Sequence, residues 1–133
     1  MKTNVNKIAK EVFEIEAQTI KDLSTKLNSD FSKSIELILK TKGRLVLSCM
    51  GKSGHIGAKI AATLASTGTP SFFMHPAEAL HGDLGMLAQG DVLLAISNSG
   101  ESEEILKIIP AIKKRGIKLI AMSGNAKSTL AKQ

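Results

Sequence analysis

Apolar residues recur at every third or fourth position along the first part of the chain, which is the spacing of an amphipathic helix. This pattern predicts one helix over residues 5–28 and a second over residues 31–41. The Asn-Ser-Asp sequence at 28–30 breaks the pattern and supplies an N-cap for the second helix, which Gly43 ends. We therefore expect a pair of N-terminal helices, residues 1–43, that is part of the same domain as the rest of the chain and packs on its sheet or on a partner subunit.

Beyond residue 43 the apolar residues come in short continuous runs, which are typical of strands buried in a parallel sheet. Four strands are predicted, at residues 44–49, 71–74, 91–96 and 118–122. Helices are predicted at 54–66 and, with a kink at Pro110, at 101–114, whereas 75–90 is expected to be irregular with a helical turn. Strands that alternate with helices form right-handed βαβ units. The predicted fold class is therefore α/β, a three-layer αβα arrangement around a parallel, flavodoxin-like sheet.

Length and composition limit the class of protein. The 133 residues suit one domain, and 43% hydrophobic residues are enough for a globular core. No apolar run approaches the roughly 20 residues of a membrane span, and the N-terminus lacks the apolar region of a signal peptide. Cys49 is the sole cysteine, so a disulfide framework is excluded. We expect a cytoplasmic protein with no membrane partner.

The charge of the chain raises the question of a nucleic-acid partner. The formal net charge is +6, and the segment that begins at Lys107 contains no Asp or Glu. Such a segment attracts polyanions, but no nucleic-acid-binding motif accompanies it, and aromatic residues make up only 3% of the chain. We interpret the excess as a solvated helix face that also attracts an anionic metabolite, and we expect no nucleic-acid partner.

Two turns rich in glycine and serine follow predicted strands and open predicted helices. They are GKSGH at residues 51–55 and SNSGES at residues 97–102. A loop that enters a helix N-terminus presents free backbone N–H groups and the positive end of the helix dipole, which together bind anions. In a sheet ordered 2-1-3-4-5 these two loops lie at the switch point between the first and third strands. The sequence therefore predicts a phosphate site there.

Two nucleotide-binding motifs resemble the first turn but do not match it. The P-loop pattern GxxxxGK[ST] requires glycine at position 46, which is Val46. The dinucleotide pattern GxGxxG, if it ended at Gly54, requires glycine at position 49, which is Cys49. Neither nucleoside triphosphate hydrolysis nor NAD binding is supported.

Four segments together resemble the sugar isomerase (SIS) domain of the arabinose-5-phosphate isomerase family. They are GKSGH at 51–55, STGTP at 66–70, HPAEALHGDLG at 75–85 and ISNSGES at 96–102, and the resemblance runs from about residue 44 to 124. It implies an aldose–ketose isomerase that interconverts D-ribulose 5-phosphate and D-arabinose 5-phosphate through an enediol, in Kdo and lipopolysaccharide or capsule biosynthesis. Such a reaction needs a base near two adjacent carbons and donors that stabilise the developing oxyanion.

The resemblance also implies roles for individual residues. Phosphate is expected at Ser53, Ser97, Asn98, Ser99 and Ser102, with further substrate contacts at Gly68, Thr69 and His75. Lys52, His81 and Glu104 match catalytically relevant positions. His75 also matches a position at which zinc binds in the family, more as an inhibitor than as a cofactor, so no cofactor is expected to be required.

Each of these residues has a simpler interpretation. Lys52 can be a surface cation, and His81 can be a capping residue in a turn. Glu104 lies with other acids in the first turn of a predicted helix, where a negative charge favours the helix dipole. His75, beside Pro76, is more often structural than a metal ligand.

Two other functions remain open. One is an SIS module that binds a sugar phosphate without catalysis, and the other is a different phosphosugar isomerase. The presence of Lys52, His81 and Glu104 favours an enzyme, and the HGDLG stretch at 81–85 disfavours a different isomerase.

The resemblance implies more structure than these residues provide. The family's domain continues past Gln133 with a fifth strand, and many members carry paired CBS modules, which are absent here. Residues 44–133 are therefore expected to be an incomplete SIS domain, and residues 1–133 alone are expected to be marginally stable, prone to aggregation and inactive. Family members are tetramers with sites near subunit interfaces, so a homotetramer is expected.

Overall fold

The computed structural model describes residues 4–133. Its first two helices differ in their bounds from the helices predicted at 5–28 and 31–41. Helix α1 spans Val5–Leu23, a 3-10 turn spans Ser24–Lys26, and helix α2 spans Ser29–Lys40. The predicted helix over 5–28 is therefore too long. Near its end, Ser24 Oγ donates to the carbonyl of Lys21 and Thr25 Oγ1 to that of Asp22. Such hydroxyls compete for the backbone acceptors that would continue a helix.

The chain forms two compact units, and the boundary between them falls inside α2. The first unit ends at Ile35, and the second is Glu36–Gln133. In α1 no residue is buried, and large apolar side chains such as Phe13 and Ile20 are exposed. Within the described residues 4–133, no helix is long and apolar enough to cross a membrane.

The second unit contains a four-stranded sheet in which all strands are parallel. Its strands are β1 (Leu45–Cys49), β2 (Ser71–Phe73), β3 (Val92–Ser97) and β4 (Lys118–Ser123). Their spatial order is β2-β1-β3-β4, with β1 paired to both β2 and β3. The predicted flavodoxin-like order is confirmed over these four strands.

Three helices connect the strands. They are α3 (Gly51–Ser66), α4 (Pro76–Leu80) and α5 (Glu103–Lys114), with 3-10 turns at Asp83–Met86 and Leu130–Lys132. Helix α3 begins three residues earlier than predicted, so the GKSGH sequence lies inside the helix instead of in a loop before it. The helical turn expected within residues 75–90 is confirmed by α4. Pro110 lies inside α5 and is exposed.

Alternating residues of the strands supply two apolar layers, one on each face of the sheet. On one face Val46 and Leu93 pack in a cluster with Ile108 of α5 and Ala79 of α4. On the other face Leu45, Leu47 and Leu94 pack with residues of α3 and the end of α2, which are Ala61, Ile60, Leu64, Leu37 and Ile38. Side chains of successive strand residues point to opposite faces, so both faces need a covering layer. The predicted three-layer αβα arrangement is confirmed.

A buried ion pair closes the amino edge of the sheet. The Asp91 carboxylate, whose side chain is 1% exposed, accepts from Arg44 Nη2 at 2.8 Å and from the backbone N–H groups of Arg44 at 2.8 Å and Ala88 at 2.9 Å. Arg44 also donates to the Met86 carbonyl at 2.7 Å and stacks over Phe72. Burial by itself would raise the pKa of Asp91, but the hydrogen bonds from Arg44 and Ala88 outweigh it and hold the pKa below its ordinary value.

Candidate functional site

The carboxyl ends of β1 and β3 lie side by side in the middle of the sheet. Cys49, the last residue of β1, pairs with Ile96 near the end of β3. Helix α3 begins directly after β1, and α5 begins after a loop of residues 97–102, which we call the serine loop. Connections that leave neighbouring parallel strands toward opposite faces open a crevice at the carboxyl edge. The predicted neighbourhood of residues 51–55 and 97–102 is confirmed.

Helices α3 and α5 begin differently from α1 and α4. The side chains of Asn4 and His75 cap α1 and α4 by accepting from first-turn N–H groups. Within residues 4–133, neither Met50 before α3 nor Ser102 before α5 makes a side-chain cap bond. First-turn N–H groups have no acceptor within their own helix. Two helix N-termini without a side-chain cap at one crevice therefore leave backbone N–H groups that suit an anion.

The serine hydroxyls of the serine loop are used partly to hold the loop itself. Ser97 Oγ is 2.9 Å from Ser102 Oγ and accepts from the Gly100 N–H at 3.0 Å, and the Ser97 residue is 4% exposed. Ser99 Oγ accepts from the Glu101 N–H at 3.2 Å, while Ser99 itself is exposed. A serine that accepts one bond keeps its own proton for donation. Ser99 therefore presents an exposed hydroxyl that an anion in the crevice can reach.

Other candidate residues come to the same edge of the sheet. Lys52 and Ser53 are in the first turn of α3, with Lys52 exposed and Ser53 half-buried. Glu104 is half-buried in the first turn of α5. His75 follows the carboxyl end of β2, where the Met74 N–H donates to Leu47 at 2.9 Å. An ammonium, a carboxylate and hydroxyls are thus placed around one crevice.

Gly68 and Thr69 lie at the opposite edge of the sheet. They follow the carboxyl end of α3, and Pro70, next in the chain, accepts from the N–H of Leu45 at the start of β1. The 16 residues of α3 span about 24 Å between the two edges. One copy of the chain therefore does not bring Gly68 and Thr69 together with the serine loop.

His81 is the exposed C-cap residue of α4, the short helix that begins beside His75. The chain that follows it is held at the amino edge. There Arg44 donates to the Met86 carbonyl, and Arg115, which follows α5, donates to the Leu84 carbonyl.

The single cysteine, Cys49, contributes a hydrogen bond at the start of α3. Cys49 is buried, and its Sγ donates to the Ser53 carbonyl at 3.1 Å. Burial raises the pKa of the thiol, and a weaker backbone hydrogen bond from Gly57 lowers it only in part. A thiol with a raised pKa holds little of the reactive thiolate. Gly57 lets α3 pass close over this sulfur, because a side chain there would overlap it.

The sequence analysis missed a segment that supports the serine loop. Residues 123–130, which we call the buttress segment, follow β4 and lie against the loop through hydrogen bonds from Gly124 N–H to Asn98 O and from Leu130 N–H to Gly100 O, both 3.0 Å. Glu101 Oε1 accepts from the Thr129 N–H at 2.8 Å. The sequence signal available was the Ser-Gly-Asn turn at 123–125, which follows the strand next to β3.

The described residues offer little to a tightly held metal. Among residues 4–133, no group of three or more His, Cys, Asp or Glu side chains is placed to hold a metal ion. His75 Nδ1 accepts from the Ala77 N–H at 3.3 Å, so only the other ring nitrogen is left for a ligand. Tight zinc sites use three or four protein ligands. The residues present therefore do not fit a tightly bound zinc ion.

Comparison with known proteins identifies relatives of this architecture. Residues 37–133 match a protein-family model described as the SIS domain. The arabinose 5-phosphate isomerase KdsD of Pseudomonas aeruginosa is 56% identical over 124 residues, which are 93% of this chain and 38% of that protein. The arabinose 5-phosphate isomerase KpsF of Escherichia coli O6:H1 is 54% identical over 118 residues, which are 88% of this chain and 36% of that protein. The chain therefore spans less than two fifths of the length of these curated relatives.

A solved structure is similar over almost the whole chain. It is a protein of Escherichia coli CFT073 in complex with arabinose 5-phosphate, with a TM-score of 0.91 and 43% sequence identity. The similarity covers 98% of this chain and 70% of that one. The N-terminal helices as well as the sheet therefore have counterparts in that protein.

Proposed function

Because the chain belongs to the SIS domain family, we propose that it is the sugar-phosphate-binding part of an aldose–ketose isomerase that interconverts D-ribulose 5-phosphate and D-arabinose 5-phosphate. Two curated relatives at 56% and 54% identity are named arabinose 5-phosphate isomerases, and a similar solved structure is a complex with arabinose 5-phosphate. The observation that carries the proposal is the pair of uncapped helix N-termini, α3 and α5, at one crevice. They suit the phosphate group that both pentoses share.

The side chains at the crevice suit the chemistry of this isomerisation. The reaction moves one proton between adjacent carbons, so that a carbonyl becomes a hydroxyl and its neighbouring hydroxyl becomes a carbonyl through an enediol. Glu104 supplies a carboxylate that can take the proton from carbon, and the Lys52 ammonium can stabilise the oxyanion that develops. Ser53, Asn98, Ser99 and Ser102 hold the phosphate in this proposal, while Ser97 both contributes to that site and holds the loop.

The proposal includes a homotetramer with sites near subunit interfaces. Gly68 and Thr69 lie at the opposite edge of the sheet from the serine loop of their own copy. In this proposal a neighbouring copy supplies these two residues to the crevice. We further propose a cytoplasmic enzyme of Kdo and lipopolysaccharide or capsule biosynthesis, with no nucleic-acid partner.

Turnover tests the proposal directly. The natural protein that carries this chain is expected to convert D-ribulose 5-phosphate to D-arabinose 5-phosphate, measured by chromatography of the two sugars. Lys52→Met should lower kcat by about 100-fold or more, within the range for loss of one catalytic group. Lys59→Met is the matched control, since Lys59 is an exposed lysine of the same helix that bonds to Thr63. Binding of both pentose phosphates without turnover would identify a sensing module, and neither binding nor turnover would refute the proposal.

Ser99 gives a second prediction, which concerns binding alone. Ser99→Ala should weaken the binding of arabinose 5-phosphate by about 1–3 kcal/mol, since it removes a hydrogen bond to a charged group. The double variant with Ser97→Ala should bind more weakly still, because Ser97 also holds the loop. Isothermal titration calorimetry measures both, with Ser66→Ala at the far end of α3 as the control. Wild-type affinity in the double variant would rule out the phosphate assignment.

Zinc gives a third prediction. His75 remains our proposed contact for zinc, and one imidazole supports only weak binding. The protein should keep full activity after treatment with EDTA, and added zinc should inhibit it. A kinetic assay before and after dialysis against EDTA measures this. Activity that disappears with EDTA and returns with zinc would show that the metal is required.

A further inference from the structure

The buttress segment touches three successive parts of the serine loop. Its Gly124 N–H donates to Asn98, and its Leu130 N–H donates to Gly100. Between these contacts the side chain of Ser128, 1% exposed, lies directly under Gly100. All these contacts bridge residues more than 20 positions apart, so the loop is held by tertiary structure and not by its local turn alone.

One contact between the serine loop and the buttress segment uses a charged side chain, that of Glu101. Its Oε1 accepts from the Thr129 N–H at 2.8 Å. This hydrogen bond, and then the charge of Lys132, lower the pKa of the Glu101 carboxyl. The carboxylate is therefore ionised at neutral pH and directed at the buttress segment.

The negative charge of Glu101 repels a nearby anion, so electrostatic attraction is not the reason for a carboxylate at this position. Glu101 directly precedes Ser102 at the entrance to α5, where the proposed phosphate binds. A negative charge there favours the helix dipole but competes with a bound anion for the same positive potential. The contact with Thr129 supplies the reason, since it ties the outer end of the serine loop to the buttress segment.

We propose that Glu101 is a positioning residue for phosphate binding, which acts by holding the serine loop against Thr129 of the buttress segment. The inference rests on the proposed function. It has an unusual consequence: removing a negative charge beside the anion site lowers affinity for the anion. Electrostatics alone gives the opposite sign, so the two explanations are separable by experiment.

Three substitutions in the natural protein test the inference, with calorimetric Kd values for arabinose 5-phosphate as the readout. Glu101→Ala should weaken binding about three- to tenfold, the effect of one hydrogen bond. Glu101→Gln should bind nearly as well as the wild type, because the amide oxygen can still accept from Thr129. Glu103→Ala is the matched control: it removes a carboxylate from the first turn of α5, where Glu103 forms an ion pair with Lys107. It should bind as tightly as the wild type or more tightly.

Hydrogen exchange without ligand tests the anchoring separately. The amides of Gly124 and Leu130 donate to the serine loop, so they should exchange faster in Glu101→Ala than in Glu103→Ala. If Glu101→Ala binds as tightly as the wild type, or if these amides keep their protection, the inference is wrong. If the wild type itself binds no arabinose 5-phosphate, the proposed function fails, and the exchange result still decides whether Glu101 anchors the loop.

Discussion

If the proposed function is correct, Gly100→Ala should abolish most of the binding of a sugar phosphate. Gly100 has φ +69°, a left-handed conformation that costs an alanine about 1–2 kcal/mol. A methyl group there would also overlap the Ser128 side chain and lie 2.7 Å from Ser123 Oγ. Overpacking of this kind costs about 1–3 kcal/mol. Because the strain is relieved only if the serine loop leaves the buttress segment, binding of arabinose 5-phosphate should weaken about 30-fold or more, or about 2 kcal/mol.

Gly116→Ala separates the cost of the left-handed backbone conformation from the cost of the overlap with Ser128. Gly116 has φ +68°, almost the same as Gly100, but a methyl group there would have no atom within 4 Å. It should therefore carry the backbone penalty of about 1 kcal/mol in the free energy of unfolding and leave the Kd unchanged. Urea denaturation and calorimetry on both variants measure the two quantities. Equal Kd values for Gly100→Ala and Gly116→Ala would show that the buttress contact is unimportant for binding.

Asp91→Ala should be the most destabilising single change at the amino edge of the sheet. It removes the acceptor of Arg44 and of two backbone N–H groups, those of Arg44 and Ala88. Loss of one partner of a buried ion pair costs about 3–5 kcal/mol, and we expect about 3 kcal/mol because Arg44 is 39% exposed and can turn toward water. Against a total stability of about 5–15 kcal/mol this is a large fraction. Urea denaturation measures it, with exposed Asp83→Ala as the control.

The contribution of Asp91 should depend on pH in a defined direction. Since the pKa of Asp91 is lower in the folded protein than its ordinary value of about 3.9, the stabilisation is complete above that pH. It is lost as the pH falls through the folded-state pKa, where the carboxyl takes up a proton. The difference in unfolding free energy between the wild type and Asp91→Asn should therefore shrink below about pH 4. A difference that is constant from pH 3 to 7 would contradict this account.

Local patterns in the sequence predicted most of the fold. The short apolar runs identified all four strands. The three- and four-residue spacing identified the long helices, because a helix that buries one face carries apolar residues at that spacing. The errors fell at helix ends. Residues 24–28 carry helical spacing, but the backbone tightens into a 3-10 turn at Ser24–Lys26 and becomes extended at Leu27. At Gly51 the glycine suggested a loop, yet the residue already opens α3.

The sequence predicted the part of the candidate site that is formed by the ends of neighbouring strands. Parallel strands place their carboxyl ends at one edge, so the turns at 51–55 and 97–102 had to be neighbours once the strand order was known. The sequence could not show that Gly68 and Thr69 lie at the opposite edge of the sheet in the same copy. Their distance from the carboxyl edge follows from the length of α3.

The sequence by itself determined the α/β class, the parallel sheet and the two glycine- and serine-rich turns, since each depends on residues close together in the chain. Only the tertiary structure decided what holds those turns in place. Glu101 meets Thr129 across 28 positions, and Arg44 meets Asp91 across 47. Each of these contacts joins two residues that are far apart in the chain. The spacing of apolar residues along the sequence therefore does not predict them. Packing of the two apolar layers brings loops that are distant in the chain to the same edge of the sheet. The polar groups of those loops then form hydrogen bonds with one another.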